Sequence, residues 1–222
     1  EWFGDGDVAL EAFRAGEVDS VREFNIAKWN VAYDFPAMRS GEVVKSLVPH
    51  DRPSGIAGFV MNTRRAPFND WRVREALIHA FNFEFINQAI NAGEQPRITS
   101  YFSNSVLGMQ DGPAEGRVAE LLEPFADELL PGALEGYALP VSDGSEANRR
   151  NTRTAIRLLQ EAGYSVQDGV MTNDMGGPLE FDILLQSGAT QMINVADLYV
   201  EALERIGVEA QVVTVDSAQY KE

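Results

Sequence analysis

The segment spanning residues 179–215 constrains the fold more than any other part of the chain. An apolar run at 179–185 is followed by a helical stripe of Ile193, Ala196, Val200, Leu203 and Ile206, then by Gly207 and a β-branched run at 208–215. Two strands joined by one helix pair in parallel through a right-handed crossover, because the helix must carry the chain back to the edge where the first strand began. The chain is therefore expected to be α/β, with a mixed sheet and flanking helices.

Further elements follow from local pattern. Residues 56–61 are apolar at nearly every position, which predicts a strand buried on both faces in the same sheet. Asp70 is a suitable N-cap for a helix carrying Val73, Ala76, Leu77, Ala80 and Phe81 on one stripe. Asn82 is read as the cap of a second helix burying Ile86, Ala89 and Ile90 and ended by Gly93. Short helices are expected near 117–122 and 124–130. A longer one over 146–162 turns Ala155, Ile156, Leu158 and Leu159 to the core and stops at Gly163. Asp168-Gly169 then marks the turn of a small hairpin. Toward the N-terminus, Val8, Ala9, Ala12 and Phe13 predict a short helix ended by Gly16, followed by a brief strand at 18–21. Trp29, Tyr33 and Phe35 fit one helical face that Pro36 ends. Residues 42–48 read as extended, and Pro49 with Pro53-Ser54-Gly55 as a turn-rich connection, which places a domain boundary between residues 1–50 and 51–222.

Charge narrows the function classes. With 34 Asp and Glu against 18 Lys and Arg, the formal net charge of −16 opposes binding to phosphate backbones or anionic membranes. No apolar run approaches the roughly 20 residues of a spanning helix. The chain has no cysteine, so disulfide scaffolds and thiolate metal sites are excluded. Because it starts at Glu1 and stops directly after a strand-like run, it reads as an internal piece of a longer protein.

Motif chemistry points away from catalysis. Gly4-Asp5-Gly6-Asp7-Val8-Ala9 matches a dinucleotide fingerprint in form, but Asp5 and Asp7 would repel a pyrophosphate. Glu75 and His79 stand one helical turn apart and lack further ligands for a metal site. No nucleophile elbow occurs, and the carboxylates are scattered. The Arg64, Arg65, Arg72 and Arg74 cluster reads as a solvated helix start. Catalytic residues, metal ligands and cofactors are accordingly expected to be none.

Three segments carry a family resemblance. They are Gly58-Phe59-Val60-Met61-Asn62-Thr63 through Pro67-Phe68 and Asp70-Trp71-Arg72-Val73-Arg74-Glu75-Ala76-Leu77, then Leu158-Leu159-Gln160-Glu161-Ala162-Gly163-Tyr164 with Asp168-Gly169, and Ile206-Gly207-Val208 leading to Asp216-Ser217-Ala218-Gln219-Tyr220. Together they resemble the family 5 extracellular solute-binding proteins of ABC importers. Trp29, Tyr33-Asp34-Phe35-Pro36 and Thr99-Ser100-Tyr101-Phe102-Ser103-Asn104-Ser105 are most similar to the subgroup that binds oligopeptides and microcin C. The resemblance implies the large lobe of a two-lobed, type II periplasmic binding protein, with residues 1–50 a remnant of the first lobe and 51–222 most of the second. It also implies an oligopeptide ligand, a membrane permease as partner, a periplasmic location and a monomer without enzymatic activity or nucleic-acid binding. Asn82 departs from the family, which often has Asp there.

In open α/β sheets, ligands collect beyond the carboxyl ends of strands. Asn62 and Gln186-Ser187-Gly188 are the strand-end candidates for ligand binding. Tyr101, Phe102, Ser103 and Asn104 are candidates from the aperiodic segment 94–116, since long irregular segments inside domains often carry function. Competing readings are a hydrolase of peptides or glycans, and a binder of nickel or an oligosaccharide.

Overall fold

The computed structural model describes residue 3 and residues 6–221, which fall into two compact units, Glu1–His50 and Asp51–Glu222. Gly4 and Asp5 of the fingerprint lie outside the described residues.

The first unit holds α1 (Gly6–Arg14), α2 (Ile26–Val31) and α3 (Pro36–Ser40). Leu10 and Phe13 of α1 pack with Tyr33 and Phe35 in its small core. Phe13 meets Phe35 edge-on, with ring centroids 5.9 Å apart. Asn25 caps α2, its side chain accepting from the Lys28 amide at 3.1 Å. Two expectations fail here. Pro36 opens α3 instead of ending a helix, because a first-turn residue needs no amide donor. Residues 18–21 and 42–48 form no strand, since no partner strand exists among the described residues of this unit.

In the second unit, α4 (Trp71–Ala80) and α5 (Phe83–Asn91) precede α6 (Gly116–Leu122), a 3-10 turn at Glu123–Glu128, and α7 (Arg149–Glu161). The hairpin β1 (Tyr164–Gln167) and β2 (Val170–Asn173) follows, then β3 (Glu180–Gln186), α8 (Thr190–Glu204) and β4 (Glu209–Val215). The stripe of α4 meets Leu158 and Leu159 of α7 and Tyr199 and Leu203 of α8 in one core, closed by Met171, Ile183, Leu185 and Val208. Periodicity produces this arrangement: each helix carries one apolar stripe, and burying all three stripes together removes them from water.

β3 and β4 pair in parallel from Glu180 opposite Glu209 to Gln186 opposite Val215, as the strand-helix-strand reading requires. The expected single mixed sheet is not formed. β1–β2 and β3–β4 are separate two-stranded sheets, one antiparallel and one parallel. They are tied through Met171, whose amide donates to Gly207 and whose carbonyl accepts from Leu179, both at 2.7 Å.

Residues 56–61 also depart from expectation, for they join neither sheet. Phe59 stacks on Tyr199, with centroids 5.8 Å apart and planes 7° from parallel, and meets Phe81 edge-on at 6.3 Å. Val60 is 97% exposed. The segment thus meets the core through the side chains of Phe59 and Met61 alone, without strand pairing. No helix among the described residues is long and apolar enough to cross a membrane.

Candidate ligand-binding site

β3 ends at Gln186, and the chain turns there into α8. The Ser187 amide still donates to Val215 at 2.7 Å, the Gln186 carbonyl accepts from Ala189 at 3.1 Å, and Gly188 adopts φ +86°. That left-handed backbone is what a glycine adopts at little cost, and it lets the strand reverse within a few residues. The turn leaves Gln186, Ser187 and Gly188 exposed at the carboxyl end of the parallel pair.

Side-chain amides connect this strand end to a second feature. Gln191, in the first turn of α8, donates to the Asn91 side chain at the end of α5 (2.9 Å). One turn earlier, Asn87 clasps Gln95 by two bonds: its amide donates to the Gln95 carbonyl at 2.9 Å and its oxygen accepts from the Gln95 amide at 3.2 Å. Both asparagines are buried, so their polar groups need such partners. The clasp sets the direction in which residues 95–110 leave α5.

Those residues wrap a recess of about 500 Å³ whose lining includes Ser54, Arg97, Thr99, Ser103, Asn104 and Gln110. Its rim is a knot of serines. The Ser103 hydroxyl accepts from the amides of Thr99 (3.2 Å) and Ser100 (3.0 Å) and donates to the Ser100 carbonyl (3.0 Å). The Ser105 hydroxyl donates to Phe102 at 2.7 Å, and the Ser103 carbonyl accepts from the Ser54 amide at 2.8 Å. Asn104 has φ +66° and donates to the Arg52 carbonyl at 3.0 Å. Such local side-chain bonds hold an irregular loop without sheet or helix.

The candidate residues therefore fall into separate groups. Ser103 and Asn104 line the recess, and Gln186, Ser187 and Gly188 form the strand end linked to it through Asn91. Tyr101 and Phe102 are 66% and 49% exposed and do not line the recess. Asn62 ends no strand. Its side chain accepts from the Arg64 amide at 3.3 Å in a turn leading to Phe68, which packs on Phe181 at the opposite end of β3 from Gln186.

Arg97 was not singled out by sequence reasoning, although it is the one basic residue in the aperiodic segment 94–116. It is half-buried, its guanidinium donates to the Pro140 carbonyl, and it sits over the Phe83 ring at 5.2 Å. Burial holds its pKa below the usual arginine range, with Glu84 acting in the opposite direction.

Glu75 and His79 make a different kind of contact. His79 Nε2 lies 3.6 Å from Glu75, whose other oxygen accepts from the Tyr137 phenol at 3.0 Å. Burial pushes the imidazole below its ordinary pKa, so at pH 7 it is neutral and the contact is not an ion pair. Among the described residues, no three His, Asp or Glu side chains gather as a metal site.

The described residues thus hold a recess of mixed polar and apolar lining in the segment 95–110 and, separately, an exposed strand end at 186–188. Residues 2–222 match the family described as bacterial extracellular solute-binding proteins, family 5, middle part. The chain belongs to that family, one of substrate-binding proteins of ABC importers. It is 38% identical over 220 residues to the "Peptidoglycan-binding protein YepA" of Agrobacterium fabrum, covering 96% of this chain and 35% of that protein. It is 36% identical over 223 residues to the "Probable peptide-binding protein YejA" of the same organism, covering 99% of this chain and 36% of that one. The chain thus spans about a third of the length of these curated relatives. Among solved structures, NikA from Brucella suis in complex with Fe(III)-EDTA superposes with a TM-score of 0.60 at 18% identity, over 98% of this chain and 37% of that one. At that identity the likeness speaks for the fold, an α/β portion of a type II periplasmic binding protein.

Proposed function

We propose that this chain is part of the substrate-binding component of an ABC importer that captures oligopeptides or peptide-like compounds. The complete receptor closes two lobes over its ligand and delivers it to a membrane permease, working in the periplasm as a monomer and catalysing no reaction. Residues 1–50 belong to one lobe and residues 51–222 to the other.

The observation that carries this reading is the recess formed by residues 95–110, whose lining includes the amide and hydroxyl side chains of Ser54, Gln95, Thr99, Ser103, Asn104 and Gln110. A peptide main chain presents alternating donors and acceptors, which such groups satisfy without regard to side-chain identity. Relatives named for binding peptides and peptidoglycan agree with it. Calorimetry of the complete receptor with tri- and penta-alanine tests the reading, with nickel and a mannose oligosaccharide as controls. Peptide binding alone is the expected result. Binding of only the metal or the sugar, or cleavage of the peptide during incubation, overturns it.

A further inference from the structure

We propose that the loop 112–136, which carries α6 and the 3-10 turn, is a docking element whose exposed apolar face is covered by the part of the complete receptor outside residues 1–222. This docking does not depend on which solute the receptor binds.

The loop is closed at its base. The Ala114 amide donates to the Leu134 carbonyl at 2.8 Å. Gly136, at φ +96°, lies so near Gly112 that a built Cβ would stand 2.4 Å from the Gly112 carbonyl oxygen, so the two ends pass in backbone contact. Just beyond the base, the Tyr137 phenol donates to Glu75 of α4 at 3.0 Å. The loop therefore departs and returns at one anchored place, and α6 and the 3-10 turn stand away from it.

Val118, Leu121 and Phe125 recur at i, i+3 and i+7, the spacing of one helical face, and each is more than half exposed, as is Leu130. No residue of α6 or of the 3-10 turn is buried. Isolated helices shorter than about 12–15 residues are marginal in water, and helices in proteins are stabilised chiefly by packing an apolar face. α6 has seven residues and no side-chain cap bond. Its exposed Arg117–Glu120 pair, at 3.5 Å, contributes little. The packing that holds this helix therefore has to come from outside the described residues.

The chain covers 35% and 36% of the two curated relatives named above, so in a receptor of that length most of the surface available to this face lies outside residues 1–222. A permease or a second copy would cover the face only during encounters and leave an apolar patch open between them, which is an aggregation liability. A segment of the same molecule covers it at all times.

The test uses the complete receptor with a photo-reactive side chain on the face, as Leu121→p-benzoylphenylalanine in one variant and Phe125→p-benzoylphenylalanine in another. Irradiation and peptide mass mapping are expected to join each position to a peptide of the same molecule outside residues 1–222, in a product of monomer mass. Hydrogen exchange of the unaltered receptor is expected to run at least about tenfold slower across 116–125 than in an unstructured chain. Cross-links confined to residues 1–222, a product of twice the monomer mass, a cross-link to the permease in membranes, or no product from either position overturns the assignment. Exchange across 116–125 at the unstructured rate does so as well. Thermal melts show whether each labelled variant folds, and the exchange measurement needs no variant.

Discussion

The phenol of Tyr199 donates to the main-chain carbonyl of Leu77 across 2.9 Å, inside the core where α8 meets α4. The same ring is stacked by Phe59 and met edge-on by Phe81. Burial raises the phenol pKa above its ordinary value, since ionisation there would leave a charge out of water. Tyr199→Phe keeps the ring contacts and removes the bond, so urea unfolding is expected to show a loss of about 1–2 kcal/mol. Because the folded pKa is raised, the neutral phenol stabilises the fold fully below about pH 10. That contribution fades as pH rises further, and the phenylalanine variant is expected to show a shallower alkaline loss of stability.

Asn82 is 2% exposed, and its side chain joins distant loops instead of capping α5. It donates to the Ser145 carbonyl at 2.7 Å and accepts from the Ser142 hydroxyl at 2.6 Å. Asn82→Asp removes the donor and buries a carboxylate near Glu84. A destabilisation of about 1–3 kcal/mol at pH 7 is expected. Parallel denaturation at pH 7 and pH 5 is expected to show the gap from the parent narrowing as the new carboxyl takes up a proton.

Asp70 caps α4 through the Arg72 amide at 2.8 Å and pairs with the Arg72 guanidinium at 2.6 Å. The side-chain bond to Arg72 is the main cause holding the carboxyl below its usual pKa. A depressed folded pKa means that the contribution is present above the unfolded value near 4 and is lost as pH falls through the folded value. Asp70→Ala is expected to cost about 0.5–2 kcal/mol at pH 7, and Asp70→Asn, which can still cap, less. Chemical denaturation from pH 7 down to pH 3 checks both the sizes and the acid convergence.

Two glycines with similar backbones separate conformational strain from crowding. Gly188 has φ +86° with open space around a built Cβ. At Gly207, with φ +77°, a Cβ would stand 2.9 Å from the Gly169 carbonyl oxygen and 3.0 Å from the Met171 amide nitrogen. Gly188→Ala is expected to cost about 1 kcal/mol for its left-handed backbone alone. Gly207→Ala bears that cost and also displaces the junction between the sheets, so thermal melting is expected to show a clearly larger loss.

What could be read from sequence was what is local. The α4 stripe follows from helical spacing, and the hairpin turn from Asp168 and Gly169, which both take positive φ. The parallel β3–β4 pair follows because one helix separates its strands. Residues 56–61 were misread because an apolar run by itself fixes neither burial nor strand pairing: Val60 is exposed, and Phe59 packs on aromatic side chains instead. Asn82 stands at the N-cap position of α5 as read, but its side chain makes no cap bond because its partners lie about 60 residues away. The turn after β3 and the irregular loop that carries the candidate residues were legible as places in the chain. Which loop residues line the recess was not, because the lining Ser103 and Asn104 and the exposed Tyr101 and Phe102 are neighbours in sequence and are separated by tertiary contacts alone.

The narrowness of the β3–β4 pair has a consequence for handling the chain. With only two strands in the sheet, each strand keeps an edge of backbone donors and acceptors that no strand covers among the described residues. Such an edge is a template on which another copy can add. Glu180, Asp182 and Glu209 stand exposed along the pair and repel an incoming copy that carries the same charges. At about 0.5 M salt the screening length shrinks to a few ångströms, and that protection fades. Light scattering is therefore expected to detect aggregation of the isolated chain at high ionic strength and a dispersed solution at low ionic strength.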